Sequence, residues 1–147
     1  MAGSNAAALT LGGAQPILRV SDIAASVKYY VEALGFKQDW EGPGPFCSVS
    51  RDRCCLFLSQ GDQGHLGSWV WIGVNDAEAL ARECRERGAR IRQEPVNFPW
   101  AYEMQVQDPD GNVLRFGSDP RKGEPYGSFM DMEGRLWPVS GDTPICE

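Results

Sequence analysis

The chain has 147 residues, of which 42% are hydrophobic, and this length suits one domain with a real core better than two small ones. Twenty acidic residues against fourteen basic ones give a formal net charge of -6, which works against binding to nucleic acid or to anionic membranes. A negative electrostatic field of this kind favours a cationic small molecule as the partner. The alternative is that the charge only keeps the protein soluble.

Residues 1–14 are rich in glycine and alanine and show no periodicity, so they are predicted to form a flexible leader. This leader lacks the basic flank and apolar core of a signal peptide, and no apolar run reaches the length of a membrane span. The five cysteines form an odd set without metal-binding spacing, so neither a disulfide framework nor structural zinc is predicted. These features together predict a cytoplasmic protein.

The first half of the sequence predicts a strand, a helix and three further strands. The apolar run Pro16 to Val20 is the first strand, and Asp22 caps a helix that Gly35 ends. The three strands that follow are predicted at residues 36–40, 45–50 and 54–59.

A polar, glycine-rich linker at residues 59–68 leads into a second half with the same order of elements. A strand at residues 69–74 precedes a helix that Asp76 caps and Gly88 ends. The last three strands are predicted at residues 89–94, 102–107 and 112–117, with a tight turn before the final one.

This repetition predicts one α+β domain over residues 15–118, built from two tandem βαβββ modules at 15–60 and 68–118. Each module alone has an incomplete core, so the modules must pair within a chain or between chains, and their curved mixed sheets then enclose a cleft. Residues 119–147 are polar but contain clustered apolar side chains, so this C-terminal extension is expected to dock on the body or on a partner subunit.

Three segments of the chain resemble the vicinal oxygen chelate superfamily, which includes glyoxalase I, extradiol dioxygenases and bleomycin resistance proteins. They are RVSDIAASVKYYVEALGF, WVWIGVND and PWAYEMQVQDPDGNVLRFG. The resemblance covers residues 15–118 and implies the glyoxalase/bleomycin resistance fold, but the shared motifs say little about activity.

A narrower set of segments is similar to the bleomycin-family antibiotic-binding proteins. They are GFKQDW, Phe46, RDRCCLFLS, WVWIGV and the PW before the last two strands. This similarity implies a homodimer with two clefts at the subunit interface, each sequestering one cationic glycopeptide antibiotic without altering it.

The resemblance also implies where metal ligands would lie, namely at Gln15, Phe57, Trp69 and Arg115. Only Gln15 offers a lone pair, and a guanidinium would repel a cation, so no metal and no cofactor is predicted. His65, the one histidine, lies in the linker without a neighbouring carboxylate, which weakens the case for a catalytic base. No catalytic residue is therefore assigned.

The resemblance places stacking aromatics at Trp40, Phe46, Trp69 and Trp100, with Asp39 positioned to meet a ligand cation. Aromatic residues on strands are often core residues instead, and this alternative stays open for each of them.

Four further side chains complete the predicted ligand-binding set: Phe57, Trp71, Tyr102 and Arg115. Trp71 shares a strand face with Trp69, and Tyr102 is expected to flank the cleft together with Glu103. Arg115 either contacts the ligand or pairs with a nearby acid to hold the structure together.

The leading hypothesis is thus a metal-free protein that sequesters a bleomycin-like, cationic and aromatic antibiotic. One alternative, motivated by fold resemblance, is a glyoxalase-like or extradiol-dioxygenase-like metalloenzyme. Another is a binder of a different natural product, suggested by the extension and by Ala101 and Tyr102 after the PW pair.

Overall fold

The computed structural model describes residues 8–61 and 63–141. Its elements, in chain order, are β1 (Ile17–Arg19), α1 (Ile23–Glu32), β2 (Lys37–Glu41), β3 (Phe46–Arg51), β4 (Cys54–Ser59), β5 (Trp69–Gly73), α2 (Ala77–Arg87), β6 (Arg90–Asn97), β7 (Tyr102–Gln107), β8 (Val113–Ser118), β9 (Ser128–Met130) and β10 (Leu136–Pro138). Within these described parts of the chain, no helix has the length and apolar character needed to cross a membrane.

The first eight strands form two four-stranded mixed sheets with the same topology. The first sheet has the order β1-β4-β3-β2 and the second the order β5-β8-β7-β6. In each sheet the first strand of the module runs parallel to the last, and the other neighbours are antiparallel. The predicted α+β fold with two tandem βαβββ modules is confirmed.

The two helices begin and end where the sequence indicates. The carboxylates of Asp22 and Asp76 each accept a hydrogen bond from the backbone N–H three residues later, at 3.1 and 3.0 Å. Gly35 and Gly88 follow the helices with φ of 74° and 79°, a left-handed conformation that favours glycine over residues with a Cβ atom. Local capping chemistry thus fixes both helix positions.

One hydrophobic core joins the two modules. It combines both helices with the inner faces of both sheets, that is, the faces turned toward the helices. Its fully buried members include Leu18, Val49 and Leu56 from the first sheet and Met104 and Leu114 from the second. The outer faces of the sheets are turned away from this core, and none of the described aromatic contacts joins one outer face to the other.

The β3–β4 turn of the first module contacts the helix of the second. Arg51 donates to both carboxylate oxygens of Glu83 on α2, at 2.5 and 3.1 Å, and to the carbonyl of Leu34 after α1, at 2.9 Å. The hydrogen bonds from Arg51 lower the pKa of the Glu83 carboxyl.

In the same way, the β7–β8 turn of the second module contacts helix α1 of the first module. The Tyr30 hydroxyl on α1 donates to the buried carboxylate of Asp108 at 3.1 Å. The Asp110 carboxylate accepts from the backbone N–H of Ser21 at 3.0 Å and from the Ser26 hydroxyl at 3.4 Å. The modules therefore hold each other through reciprocal turn-to-helix contacts.

Two features of the second half differ from the predicted elements. Strand β6 continues to Asn97, three residues beyond the predicted end at Glu94, because register shifts on either side of Gln93 leave Pro95, which has no N–H, outside the regular ladder. Strands β9 and β10 pair as an antiparallel hairpin that the sequence analysis did not predict.

Candidate ligand-binding site

Three predicted aromatic residues lie together on the outer face of the first sheet. Their ring centroids are 5.9 Å apart for Trp40 and Phe46, 5.5 Å for Trp40 and Phe57, and 5.5 Å for Phe46 and Phe57. The three rings come from the neighbouring strands β2, β3 and β4. Trp40 is 44% exposed, so the cluster presents an aromatic surface to solvent rather than a buried core.

Asp39 lies beside this cluster on the same face. A register shift between Gln38 and Trp40 brings its carboxylate to the outward serines of β3. Ser48 and Ser50 donate to the two carboxylate oxygens at 3.0 and 2.7 Å. Lys37 Nζ also lies 3.9 Å from this carboxylate, but the lysine side chain is exposed to solvent. A carboxylate next to three rings is a suitable environment for a flat cation that displaces such a lysine. We call Asp39, Trp40, Phe46 and Phe57 the first-module surface.

The outer face of the second sheet carries an indole that lies over two glycines. A methyl group at Gly117 would approach the Trp71 ring to 2.6 Å, so the position of this ring requires a glycine there, whereas a methyl group at Gly73 would make an ordinary contact at 3.6 Å. Trp71 is 51% exposed. Its free ring face is thus available for stacking, as in sites that bind flat molecules.

Arg115 has an acidic partner on the same outer face. Its Nε and Nη2 atoms donate to Glu103 at 3.2 and 2.7 Å, and Glu103 is only 2% exposed. Trp100 Nε1 donates to the same carboxylate at 2.6 Å, and the Trp100 ring stacks on Phe98 at 4.7 Å. We call Trp69, Trp71, Trp100 and Arg115 the second-module surface.

Tyr102 does not join either surface, contrary to the prediction that it flanks the cleft. Its hydroxyl donates to Glu78 on α2 at 2.6 Å, and the Arg121 guanidinium lies 3.9 Å from its ring centroid. Burial, with the hydrogen bond to Glu78, raises the pKa of the Tyr102 phenol to about 12. Tyr102 is therefore part of the packing between α2 and the inner face of its sheet, while the adjacent Glu103 points outward.

The β9–β10 hairpin places an aromatic ring, which the sequence pattern did not predict, against the second-module surface. The Phe129 ring centroid is 6.4 Å from that of Trp69 and 6.3 Å from that of Phe98, and the Arg115 guanidinium lies 4.9 Å from it. The signal in the sequence was the segment DMEGR, whose Asp and Gly resemble the DPDG turn of the second module. The remaining residues of the extension, 142–147, lie outside the described part of the chain.

Asp131 organises this hairpin. Its carboxylate accepts from Trp137 Nε1 at 2.8 Å, from the backbone N–H groups of Glu133 and Arg135 at 2.9 Å each, and from Arg135 Nε at 3.2 Å. These hydrogen bonds, that from Trp137 first, lower the pKa of the Asp131 carboxyl to about 2. In the unfolded chain the pKa of an aspartate carboxyl is about 4. Because the pKa is lower in the folded hairpin, the ionised carboxylate stabilises the hairpin at pH values above about 4.

We therefore expect the hairpin to lose this stabilisation as the pH falls from about 4 toward 2. The indole N–H resonance of Trp137 should shift over this range in two-dimensional NMR spectra. The Trp71 resonance serves as the control for global acid unfolding, because the Trp100 indole donates to the Glu103 carboxylate and so responds to that group as well. The shift of Trp137 should be absent in Asp131→Asn. A Trp137 resonance that moves only together with that of Trp71 would contradict this prediction.

The residues present do not fit a divalent metal centre of the kind that the resemblance implies. The four ligand positions hold one amide, two aromatic rings and one guanidinium, at Gln15, Phe57, Trp69 and Arg115, and the guanidinium already pairs with Glu103. Residues 8–61 and 63–141 contain no cluster of three or more His, Cys, Asp or Glu side chains that could hold a metal ion.

The comparisons with known proteins agree with this geometry at the level of the family. A family model described as the Glyoxalase/Bleomycin resistance protein/Dioxygenase superfamily matches residues 11–116. No curated protein matches the chain.

Several solved structures share the fold. The bleomycin-binding protein of Streptomyces verticillus, solved with copper(II)-bleomycin, is 28% identical, with a TM-score of 0.62 over 75% of this chain and 98% of its own. TnmS3, an antibiotic-binding protein of Streptomyces sp. CB03234, is 24% identical, with a TM-score of 0.67 over 77% and 99%. TioX of Micromonospora sp. ML1 is 19% identical, with a TM-score of 0.61 over 72% and 98%.

Proposed function

Because the chain belongs to the glyoxalase/bleomycin resistance protein/dioxygenase superfamily, we propose that it binds a flat, cationic antibiotic and sequesters it without altering it. The observation that carries this proposal is the first-module surface, where Asp39 is held by two serines beside three clustered rings. The carboxylate meets the cation of the ligand, and the rings stack on its flat part. The net charge of -6 favours the approach of such a ligand.

We further propose a homodimer with two clefts, each formed by the first-module surface of one chain and the second-module surface of the other. The shared core separates the two surfaces within one chain, so a cleft that uses both requires a second copy. Strands β1 and β5 lie at sheet edges, and a groove of about 880 Å³ runs along the free edge of β5. Free edges of this kind are suited to pairing with another chain.

Bleomycin-like glycopeptides are one candidate class of ligand, and compact flat cations such as proflavine are the other. The 28% identical protein of Streptomyces verticillus was solved in complex with copper(II)-bleomycin. The thiols of Cys47, Cys54, Cys55 and Cys84 are free, which suits a cytoplasmic site of action.

Titration with bleomycin, phleomycin and the flat cation proflavine tests the binding function. In isothermal titration calorimetry we expect a saturable heat of binding at micromolar ligand concentration with at least one of these cations. The flat anion anthracene-9-carboxylate should bind at least tenfold more weakly. Equal binding of cation and anion, or no heat with folded protein and any of the cations, would reject the proposal. Stoichiometric zinc, nickel, manganese or iron in the purified protein would favour the metalloenzyme alternative instead.

A further inference from the structure

We propose that Phe129 is a ligand-contacting residue of the cleft, and that the hairpin which carries it restricts the ligand to a compact flat cation. This inference rests on the proposed function and adds a limit on ligand size. The hairpin comprises residues 128–138 and lies beyond the stretch that the family model matches.

The hairpin is fastened to the second sheet by side chains of the sheet itself. Gln93 on β6 and Gln105 on β7 donate their amide N–H groups to the carbonyls of Ser128 and Met130 at 2.8 and 2.9 Å. Arg92 donates to a third hairpin carbonyl. Because these bonds use the outward polar groups of β6 and β7, that half of the outer face is occupied by protein and is closed to a ligand.

Phe129 stands at the boundary between the covered and the open halves of this face. On the covered side Gln105 is only 2% exposed, whereas Trp71 on the edge strand is 51% exposed. The Phe129 ring contacts Trp69 and the Arg115 guanidinium, which both belong to the second-module surface. Phe129 thus forms a wall against Trp69 and Arg115, and Arg115 is the strand partner of the open Trp71. We infer that this wall shortens the space along which a bound molecule can extend from Trp71.

The charges of this region support a ligand with one compact cationic group. The Glu103 carboxylate is already shared by Arg115 and Trp100, so the second-module surface has no free acid at that point. The pairing of Asp39 is weaker, since Lys37 Nζ lies 3.9 Å away and is exposed to solvent. The ligand cation therefore meets Asp39 on the first-module surface of the partner chain, while its flat part stacks against Trp71 and Phe129. An extended glycopeptide would have to cross the hairpin.

Calorimetric titration of Phe129→Ala with proflavine and with bleomycin tests this inference in the full-length protein. We expect proflavine affinity to fall about tenfold, because one stacking wall is lost, and bleomycin affinity to stay equal or to rise. Leu136→Ala, which truncates an exposed side chain on the same hairpin, should leave both affinities unchanged. Phe129→Leu retains the apolar contact without the ring and replaces Phe129→Ala where that variant fails to fold, as judged by circular dichroism.

Two results would overturn the inference. An unchanged ratio of the two affinities in Phe129→Ala would show that Phe129 does not set ligand size, and a rise in proflavine affinity would show that the ring blocks the cleft instead of lining it. A wild-type protein that binds bleomycin but not proflavine would also overturn the inference and would leave the proposed function standing. If the wild type binds none of bleomycin, phleomycin and proflavine, the proposed function itself fails.

Discussion

Replacing Asp108 with alanine is expected to lower the free energy of unfolding by about 3–5 kcal/mol. The carboxylate is fully buried and accepts four hydrogen bonds, from the Tyr30 hydroxyl, the backbone N–H groups of Asp110 and Asn112, and the Asn112 side-chain amide, at 2.8–3.1 Å. Removal of the carboxylate leaves these four donor groups, one of which is the Tyr30 hydroxyl of the first module, without this acceptor. Urea denaturation followed by circular dichroism measures the effect.

Asp119→Ala is the matched control, because Asp119 is an exposed aspartate in the same region of the chain. It should change the free energy of unfolding by less than about 0.5 kcal/mol. A loss below about 1 kcal/mol in Asp108→Ala would show that water replaces the carboxylate and that the buried network matters little to the join between modules.

Replacing Trp40 with alanine is expected to weaken proflavine binding about thirtyfold or more, as for a hot-spot residue. Trp40 contacts both phenylalanines of the first-module surface and adjoins Asp39, so its loss removes the stacking partner next to the charge. Titration calorimetry measures the affinity.

Tyr126→Ala is the control for this variant, since Tyr126 is similarly exposed but belongs neither to the two surfaces nor to the hairpin. We expect its proflavine affinity to remain within threefold of the wild type. Equal losses in the two variants would mean that proflavine binds exposed aromatic side chains without using the first-module surface.

The repeat and both helices were predictable because their signals are local. An aspartate cap and a glycine stop define each helix within a dozen or so residues, and alternation defines the strands that follow. The same alternation speaks against the prediction for Tyr102. Adjacent residues of a strand point to opposite faces, so Tyr102 and Glu103 could not both line one cleft.

The division of the predicted site into two separate surfaces could not be read from the sequence. It depends on how the modules pack, and that packing rests on contacts across long separations, such as Arg51 with Glu83 and Tyr30 with Asp108. The docking of the hairpin could not be predicted from the sequence either. Gln93 and Gln105 bind backbone carbonyls of the hairpin, and this contact requires no particular side chain in the extension.

The reciprocal turn-to-helix contacts bear on how the two halves could diverge after duplication. A substitution on an inner face or in either turn disturbs both modules at once, since each turn is anchored in the helix of the other. The outer faces are free of this restriction. There the halves carry different groups, with Asp39 and its serines on one side and Arg115 with its docked hairpin on the other. Mutual anchoring thus leaves the outer faces as the part of the molecule open to evolutionary change.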